Sequence, residues 1–382
     1  MKSEDMADLI TPLVYVGGSR ATPIEALLAD AQEAVAHDLI ERLLACPEYE
    51  RPIIATNSPR FVQAVADLPV LVVPDEAEFH FGRSLARIVD QCAIRTAFYV
   101  GGGAAPLLST TELTTIAELL RTNDEALVAN NFFSSDFVGF SPARAIQRIA
   151  PPRIDNDLAF RLQREGGLRN IPLARTPGTQ MDVDTPTDLL ILSLHPGIGP
   201  HLRQFFANQS LDPRSVREVG KFLTDPNACV AVCGRVGSHL WAHLDSDLAC
   251  RTRVFSEERG MRANGREVRG EVRSLLGYHL EAVGADRFFE NLATLADAAF
   301  IDSRVLMAHL RLEPSASDRF YSDLLAFDSI ENPALREFTR AAATAPLPVV
   351  LGGHSLVSGG LWALIDAAWL QRDRERGETW TA

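Results

Sequence analysis

Lysine is almost missing from this 382-residue chain: Lys2 and Lys221 are the only two among 37 basic residues, and the rest are arginine. A Schiff-base or phosphate-clamping lysine inside the first half is thereby excluded. Arginine must do any anion binding there, and its planar fork suits phosphate and carboxylate. A genomic bias toward arginine codons is the bland source of the skew. Cysteine is scarce too. Cys46, Cys92, Cys229, Cys233 and Cys250 are odd in number, form no C-x-x-C and follow no framework spacing, so reduced buried thiols are expected. The start, Met1-Lys2-Ser3-Glu4-Asp5, lacks a basic segment followed by an apolar one, so no secretory signal is readable and a cytoplasmic location is expected. The most apolar stretch, Val349 to Leu370, is broken by Gly352, Gly353, His354, Ser355, Ser358, Gly359, Gly360 and Asp366. It reads as strand, glycine loop and buried helix, not as a membrane span. Net positive charge is lacking as well: −13, with a pI near 5.2, opposes general attraction to nucleic acid or anionic lipid. Small molecules or proteins are the expected partners, and a homodimer is left open.

What is present is ordinary globular composition, 46% apolar and 23% charged, in a chain long enough for two cores. From Pro12 to about Leu194, short apolar strands alternate with longer helical segments, the signature of a mainly parallel sheet covered by helices. Strands are expected at Leu13–Val16, Pro52–Asn57, Val70–Val73, Thr96–Val100 and Ala126–Asn130, and helices at Glu25–Ala45 and Phe81–Cys92. His195-Pro196-Gly197-Ile198-Gly199-Pro200 breaks both kinds of element and marks the boundary, giving domains 1–195 and 200–382. The second half restarts the α/β rhythm with strands at Ala228–Cys233, Ala299–Ile301 and Leu347–Leu351. Its end, Arg372–Arg376, reads as a solvated tail.

Four segments of the first half carry a resemblance. Val16-Gly17-Gly18-Ser19-Arg20 follows the first strand, Gly82-Arg83-Ser84-Leu85 opens a helix, Val100-Gly101-Gly102-Gly103-Ala104-Ala105-Pro106-Leu107 ends a central strand, and Met181-Asp182-Val183-Asp184-Thr185-Pro186-Thr187-Asp188-Leu189 closes the half. On an extended segment Asp182 and Asp184 point to one side, while Thr185 can cap a helix with Pro186 in its first turn. That geometry offers two carboxylates to one Mg²⁺; a plain capped helix with acids near its start is the bland alternative. Together the four resemble nucleotidyltransferases of the nucleotide-diphosphosugar-transferase-like superfamily, the group of molybdenum-cofactor and phospholactate guanylyltransferases.

The resemblance implies a Rossmann-like, GT-A-like first domain, beside a second α/β domain of unrecognised family. It implies phosphate or nucleotide contacts at Gly17, Gly18, Ser19, Arg20, Arg83 and Gly102. It implies Asp182 and Asp184 as Mg²⁺ ligands and catalytic carboxylates, with Asp136 on the acceptor side and Asp155 or Asp157 as an auxiliary acid. Two departures stand against it: no carboxylate lies between Gly101 and Ser109, where the family has a metal ligand, and Glu25 replaces a lysine expected to face phosphate.

In the second half, Cys233-Gly234-Arg235-Val236-Gly237-Ser238 follows a strand and precedes a helix, so Gly234, Gly237 and Ser238 could cradle an anion; a tight turn is the plainer use. Seven arginines fall between Arg251 and Arg273 (251, 253, 259, 262, 266, 269, 273), with Glu257, Glu258, Glu267 and Glu271 available to pair with them. Gly353-His354-Ser355-Leu356-Val357 starts like a nucleophile elbow, but no histidine follows Ser355, which excludes a hydrolase triad in that order. His239 and His243 are spaced for a metal or for an amphipathic helix.

The expected function is binding of a nucleoside triphosphate or sugar nucleotide, with nucleotidyl transfer to a small phosphorylated acceptor. The alternatives are a non-catalytic descendant of the same fold and a phosphate-handling enzyme centred on the second half.

Overall fold

The computed structural model describes residues 9–75 and 78–377, so the segment Met1–Asp5, from which the lack of a signal was read, lies outside the described residues. Contacts divide the chain into two compact units. The first comprises residues through Gly18, Ala29–Asp182 and Gly199–Phe205; the second comprises Ser19–Leu28, Val183–Ile198 and the chain from Phe206 on. The boundary turn at 195–200 is itself divided, residues 195–198 grouping with the second unit and 199–200 with the first.

The first unit is built on a seven-stranded sheet: β1 (Thr11–Val16), β2 (Ile53–Thr56), β3 (Leu71–Val73), β4 (Ala97–Gly101), β5 (Ala126–Ala129), β6 (Phe137–Ser141) and β7 (Arg169–Ile171), in the order β3-β2-β1-β4-β6-β5-β7. Only β6 runs antiparallel to its neighbours. Strand β1 is a continuous apolar run because both of its faces are covered, as parallel strands between helical layers require. Val14 and Val16 enter one core with Leu39, Ile40 and Leu43 of the helix Pro23–Ala45 and with Leu113 and Ile116 of the helix Thr110–Arg121. Leu13 and Tyr15, one residue out of phase, enter the other with Leu85 and Ile88 of the helix Phe81–Gln91. The expected strands and helices of this half are present, within a residue or two at their ends. Strand β6 was not foreseen because Gly139 interrupts its apolar run. A Cβ there would stand 2.6 Å from Leu120 Cδ1, so a side chain at 139 would push that leucine aside.

The second unit has a smaller, fully parallel sheet of β8 (Cys229–Gly234), β9 (Arg251–Ser256), β10 (Ala298–Asp302) and β11 (Val349–Gly352), in the order β11-β10-β8-β9. The chain is therefore an α/β protein with a mainly parallel sheet in each unit. Strand β9 escaped the sequence reading because Arg251 and Arg253 alternate into an edge strand, where charge on the outer positions is normal. The stretch Val349–Leu370 becomes β11, a turn and the helix Leu361–Arg376. The expected tail Arg372–Arg376 is thus the last turn of that helix, closed by Gly377 at φ +70. All five cysteines are free and four are buried; burial pushes the thiols of Cys233 and Cys250 up to about 12 and about 11. No helix among the described residues is long and apolar enough to cross a membrane.

Phe98 on β4 is fully buried and edge-on to Phe137. Replacing it with alanine is expected to lower the unfolding free energy by about 3–5 kcal/mol, read from urea titration followed by circular dichroism.

Candidate functional site

After β1 the first unit builds β2 and β3 on one side, and the chain then returns to place β4 on the other side of β1. Loops leaving β1 and β4 diverge at such a reversal and open a crevice at the carboxyl ends of the strands. A cavity of about 440 Å³ lies there, walled by Gly17 and Gly18 after β1 and by Gly101, Gly102 and Gly103 at the end of β4. Gly102 leaves little room for a side chain: a Cβ would press on the Tyr15 carbonyl at 3.0 Å and Val16 Cα at 3.2 Å, backbone atoms that would have to give. Gly18 is pressed in the same way on Ala29, 3.0 Å from its Cβ, whereas Gly17 faces open space.

The floor is aromatic. Tyr15, Phe81 and Tyr99 meet edge to face with ring centroids 4.9–5.7 Å apart. Tyr99 donates its phenolic hydrogen to Asp155 Oδ2 at 2.7 Å, and burial together with the Asp155 charge holds the phenol protonated well above its ordinary range. Asp155 also lines the cavity, and a Cβ on Gly101 would stand 3.7 Å from its Oδ2. A carboxylate from a distant segment thus lies beside Gly101. That segment is fixed at two points: buried Ser135 donates to the Asp155 carbonyl at 3.0 Å, and Gly82 N–H donates to the Pro152 carbonyl at 2.9 Å. Two further charges face the cavity. Arg153 is exposed and has no ion pair or side-chain hydrogen bond among the described residues. Asp75 has its carboxyl pushed up by burial, and its Oδ1 is buried without a hydrogen-bond partner among the described residues.

Of the sequence-derived candidates, Gly17, Gly18, Gly102 and the auxiliary acid Asp155 line this cavity. Arg83 is exposed on the helix Phe81–Gln91 and is not part of the lining; its neighbour Gly82 matters instead, because a Cβ there would collide with Pro152 Cδ at 2.4 Å. Asp136 approaches through its backbone, its carbonyl accepting from Gly101 N–H at 3.0 Å while its carboxylate accepts from Asn130 Nδ2 at 2.7 Å. Asp157 pairs with Arg161 in the next helix. Asp182 forms a β-bridge to Ala104, directly after the glycine turn. Ser19, Arg20 and Asp184 group with the second unit. Glu25 accepts from Thr22 Oγ1 at 2.8 Å, and Ser19 and Thr22 hold its carboxyl below the usual range, so its charge is spent on the first turn of its own helix. Tyr15, Gln32, Asp75, Phe79, Tyr99 and Arg153 were missed. The alternation that puts Tyr15 and Tyr99 on one face of paired strands was legible; Asp75 and Arg153 lie in loops with no pattern to mark them.

In the second unit the strand order reverses between β8 and β10, and charged residues gather at that carboxyl edge. Arg235, just after β8, grips Asp302 at the end of β10 with Nε–Oδ2 2.6 Å and Nη2–Oδ1 3.0 Å, both side chains buried. Burial raises the Asp302 carboxyl, but Arg235 overrides it and holds the group below the ordinary range. Gly234 sits at φ +121 with its Cβ position 2.4 Å from Asp302 Cβ, which only glycine permits. Gly237 caps the helix Ser238–Asp247, and the Arg259 guanidinium lies 3.6 Å from where its Cβ would be. His354, after β11, feels Arg235, Asp302, Asp184 and Arg259, and burial followed by Arg235 lowers its pKa to about 4. The glycine loop, one arginine of the cluster and the Gly353–Ser355 turn therefore converge. Most of the other clustered arginines pair with glutamate or backbone: Arg262 with Glu267, Arg266 with Glu258, Arg269 with Glu271, and Arg273 with carbonyls.

The Thr185-Pro186-Thr187-Asp188 part of the closing motif is structural in this unit. Asp188 Oδ2 accepts from Thr185 N–H at 2.7 Å, Thr185 Oγ1 at 2.9 Å and Ser355 Oγ at 2.8 Å. Burial, then Asp184, raises its carboxyl to about 7. Ser355 is thus a buried donor. His243 stacks on Trp362 with centroids 3.5 Å apart and bonds Asp247, a packed helical role. Among the described residues one group of three has metal-ligand spacing, His37, Glu41 and His201 in the first unit. Its two rings stack 3.6 Å apart at 12°, so an ion in the plane of one lies well outside the plane of the other, and the set as it stands does not chelate.

No family model and no curated protein matches the chain. About half of it is similar to solved nucleotidyltransferase structures. A Methanothermobacter nucleotidyl transferase is 14% identical, with 53% of this chain and 100% of that one covered and a TM-score of 0.40. A cytidylyltransferase from Leptospira borgpetersenii is 13% identical, with 55% and 100% covered and a TM-score of 0.39. A CMP:2-keto-3-deoxy-manno-octonic acid synthetase complexed with CTP is 15% identical, with 47% and 94% covered and a TM-score of 0.33. Overlays of this quality bear on neither activity nor substrate.

Because the folded state favours neutral His354, its contribution to stability is full above pH 6.5 and is lost as pH falls from there toward about 4. His354→Gln is expected to flatten the stability–pH curve between pH 6 and 5 by up to about 1.4 kcal/mol per pH unit, measured by urea titration at each pH.

Proposed function

We propose that the first unit binds a nucleoside triphosphate or sugar nucleotide in the cavity beside β1 and β4. The observation that carries this reading is the wall of glycines at a strand-order reversal, closed by an aromatic floor, two carboxylates and an arginine with no ion pair among the described residues. Backbone N–H groups of Gly17, Gly18 and Gly102 can approach phosphate because no side chain intervenes. Arg153 supplies the positive fork, and Tyr15 and Phe81 offer apolar surface to a base or sugar.

Mg²⁺ fits the donors present. Asp75 has a buried oxygen without a hydrogen-bond partner among the described residues and shares the cavity with Asp155, both hard oxygen ligands of the kind this ion takes. When bound, the ion neutralises phosphate charge. Asp182, beside the turn that forms one wall, is the third carboxylate of the proposal. Asp136 orders that turn through its carbonyl. Nucleotidyl transfer to a small phosphorylated acceptor is the chemistry these groups serve. Asp184, Ser19 and Arg20 are candidates on the motif alone. A second reading, phosphate chemistry at the carboxyl edge of the second unit around Gly234, Gly237 and Ser238, is favoured by the convergence of Arg259 and His354 there.

Calorimetry of the full chain with CTP or GTP and Mg²⁺ is expected to show saturable binding. Asp155→Asn should weaken it by about tenfold or more, and Gly102→Val should abolish it. Absence of binding at about 1 mM nucleotide overturns the reading. Nucleotide binding without pyrophosphate release on any acceptor identifies the non-catalytic descendant.

A further inference from the structure

A second cavity, of about 530 Å³, lies in the second unit between the helix Ser303–His309, the helix Ala316–Asp323 and the arginine-rich loop 262–270. Four arginines line it, Arg262, Arg304, Arg311 and Arg319, against two acidic residues, Glu267 and Glu313. The pairing is unequal. Arg304 is neutralised from behind by buried Asp323, through contacts of 2.8 and 2.6 Å, and Arg262 by Glu267 at 3.0 Å. Arg311 has no ion pair or side-chain hydrogen bond among the described residues, and its backbone sits at φ +53, a left-handed conformation that costs a side-chain-bearing residue energy. Arg319 makes one side-chain hydrogen bond among the described residues, to the Pro314 carbonyl at 3.1 Å.

Arg319 is half-buried, and burial, then Arg304 and Arg262, disfavour its charge; Asp323 and Glu267 offset this in part, and the Glu25 carboxylate also interacts with it. A guanidinium taken partly out of water among like charges needs a counter-anion, because desolvation without one is costly. The rest of the wall includes Met307, Ala308 and Leu312, which suit a carbon skeleton. The volume matches a small-molecule site.

We propose that this cavity binds a small organic phosphate, its phosphoryl group held by Arg311 and Arg319 and its carbon body packed against Met307 and Leu312. The site stands independently of the nucleotide reading of the first unit. None of its arginines lay in the motifs singled out from sequence except Arg262, and Arg262 is the one whose charge a surface glutamate already answers.

The test uses phenyl phosphate as probe on the full chain, with affinity read by calorimetry and the site read by phenylglyoxal modification and peptide mass spectrometry. Saturable binding is expected, with the probe protecting Arg311 and Arg319 from modification. Arg319→Met and Arg311→Ala should each weaken it by about tenfold, while Arg259→Ala and Asp155→Asn leave it unchanged. Inorganic phosphate should bind more weakly than phenyl phosphate; equal affinity overturns the assignment of an organic ligand. Binding that both cavity variants leave intact, or no binding at about 10 mM probe, overturns the site itself. Arg311 is exposed, so its variant remains informative if the Arg319 variant does not fold. CTP or GTP binding that fails while phenyl phosphate binding holds separates this proposal from the first.

Discussion

The first unit depends on one close approach of backbone to backbone. Gly102 lies so near the end of β1 that any side chain would meet the Tyr15 carbonyl, and this contact lets the turn after β4 face the loop after β1. The strand order makes the reversal; the glycine keeps it open. A bulkier residue would fill the gap that the topology creates and push Tyr15 off the ring cluster with Phe81 and Tyr99. Everything proposed for this unit, from phosphate contacts to the carboxylates around it, presupposes that gap.

The second unit solves a similar problem with charge. Its parallel sheet also reverses order, but the strand ends are tied by the Arg235–Asp302 pair, and Gly234 takes up a conformation closed to other residues. A buried pair of this kind is a poor source of net stability, because desolvation offsets most of the attraction. Its value is geometric. It fixes where the carboxyl edges of β8 and β10 stand, and so where Gly237, Arg259 and His354 meet.

The sheet, its helices and the glycine-rich turns were legible in the sequence because parallel strands covered on both faces leave apolar runs, and reversals leave glycines. Strands β6 and β9 were not, one broken by Gly139 and the other disguised by alternating arginines. The site was half legible. Gly17, Gly18 and Gly102 announce themselves; Asp155 was one of two auxiliary acids expected, and its place beside Gly101 depends on a fold that pins residues 152–155 against Gly82 and Ser135. The Asp-x-Asp-Thr-Pro segment divides after Asp182, the rest grouping with the second unit, where Thr185 and Asp188 are engaged in a buried cap tied to Ser355. Glu25 shows the converse: a charge that seemed opposed to phosphate is absorbed by Thr22 and Ser19 at its own helix start.

The most direct measurement is a crystal structure of the full chain with a non-hydrolysable GTP or CTP analogue and Mg²⁺. The account predicts the phosphates against Gly17, Gly18 and Gly102, the ion bound by carboxylates of this cavity, Asp75 and Asp155, and the Arg153 fork on a phosphate oxygen. Nucleotide density elsewhere, or an empty cavity at saturating analogue, would contradict it.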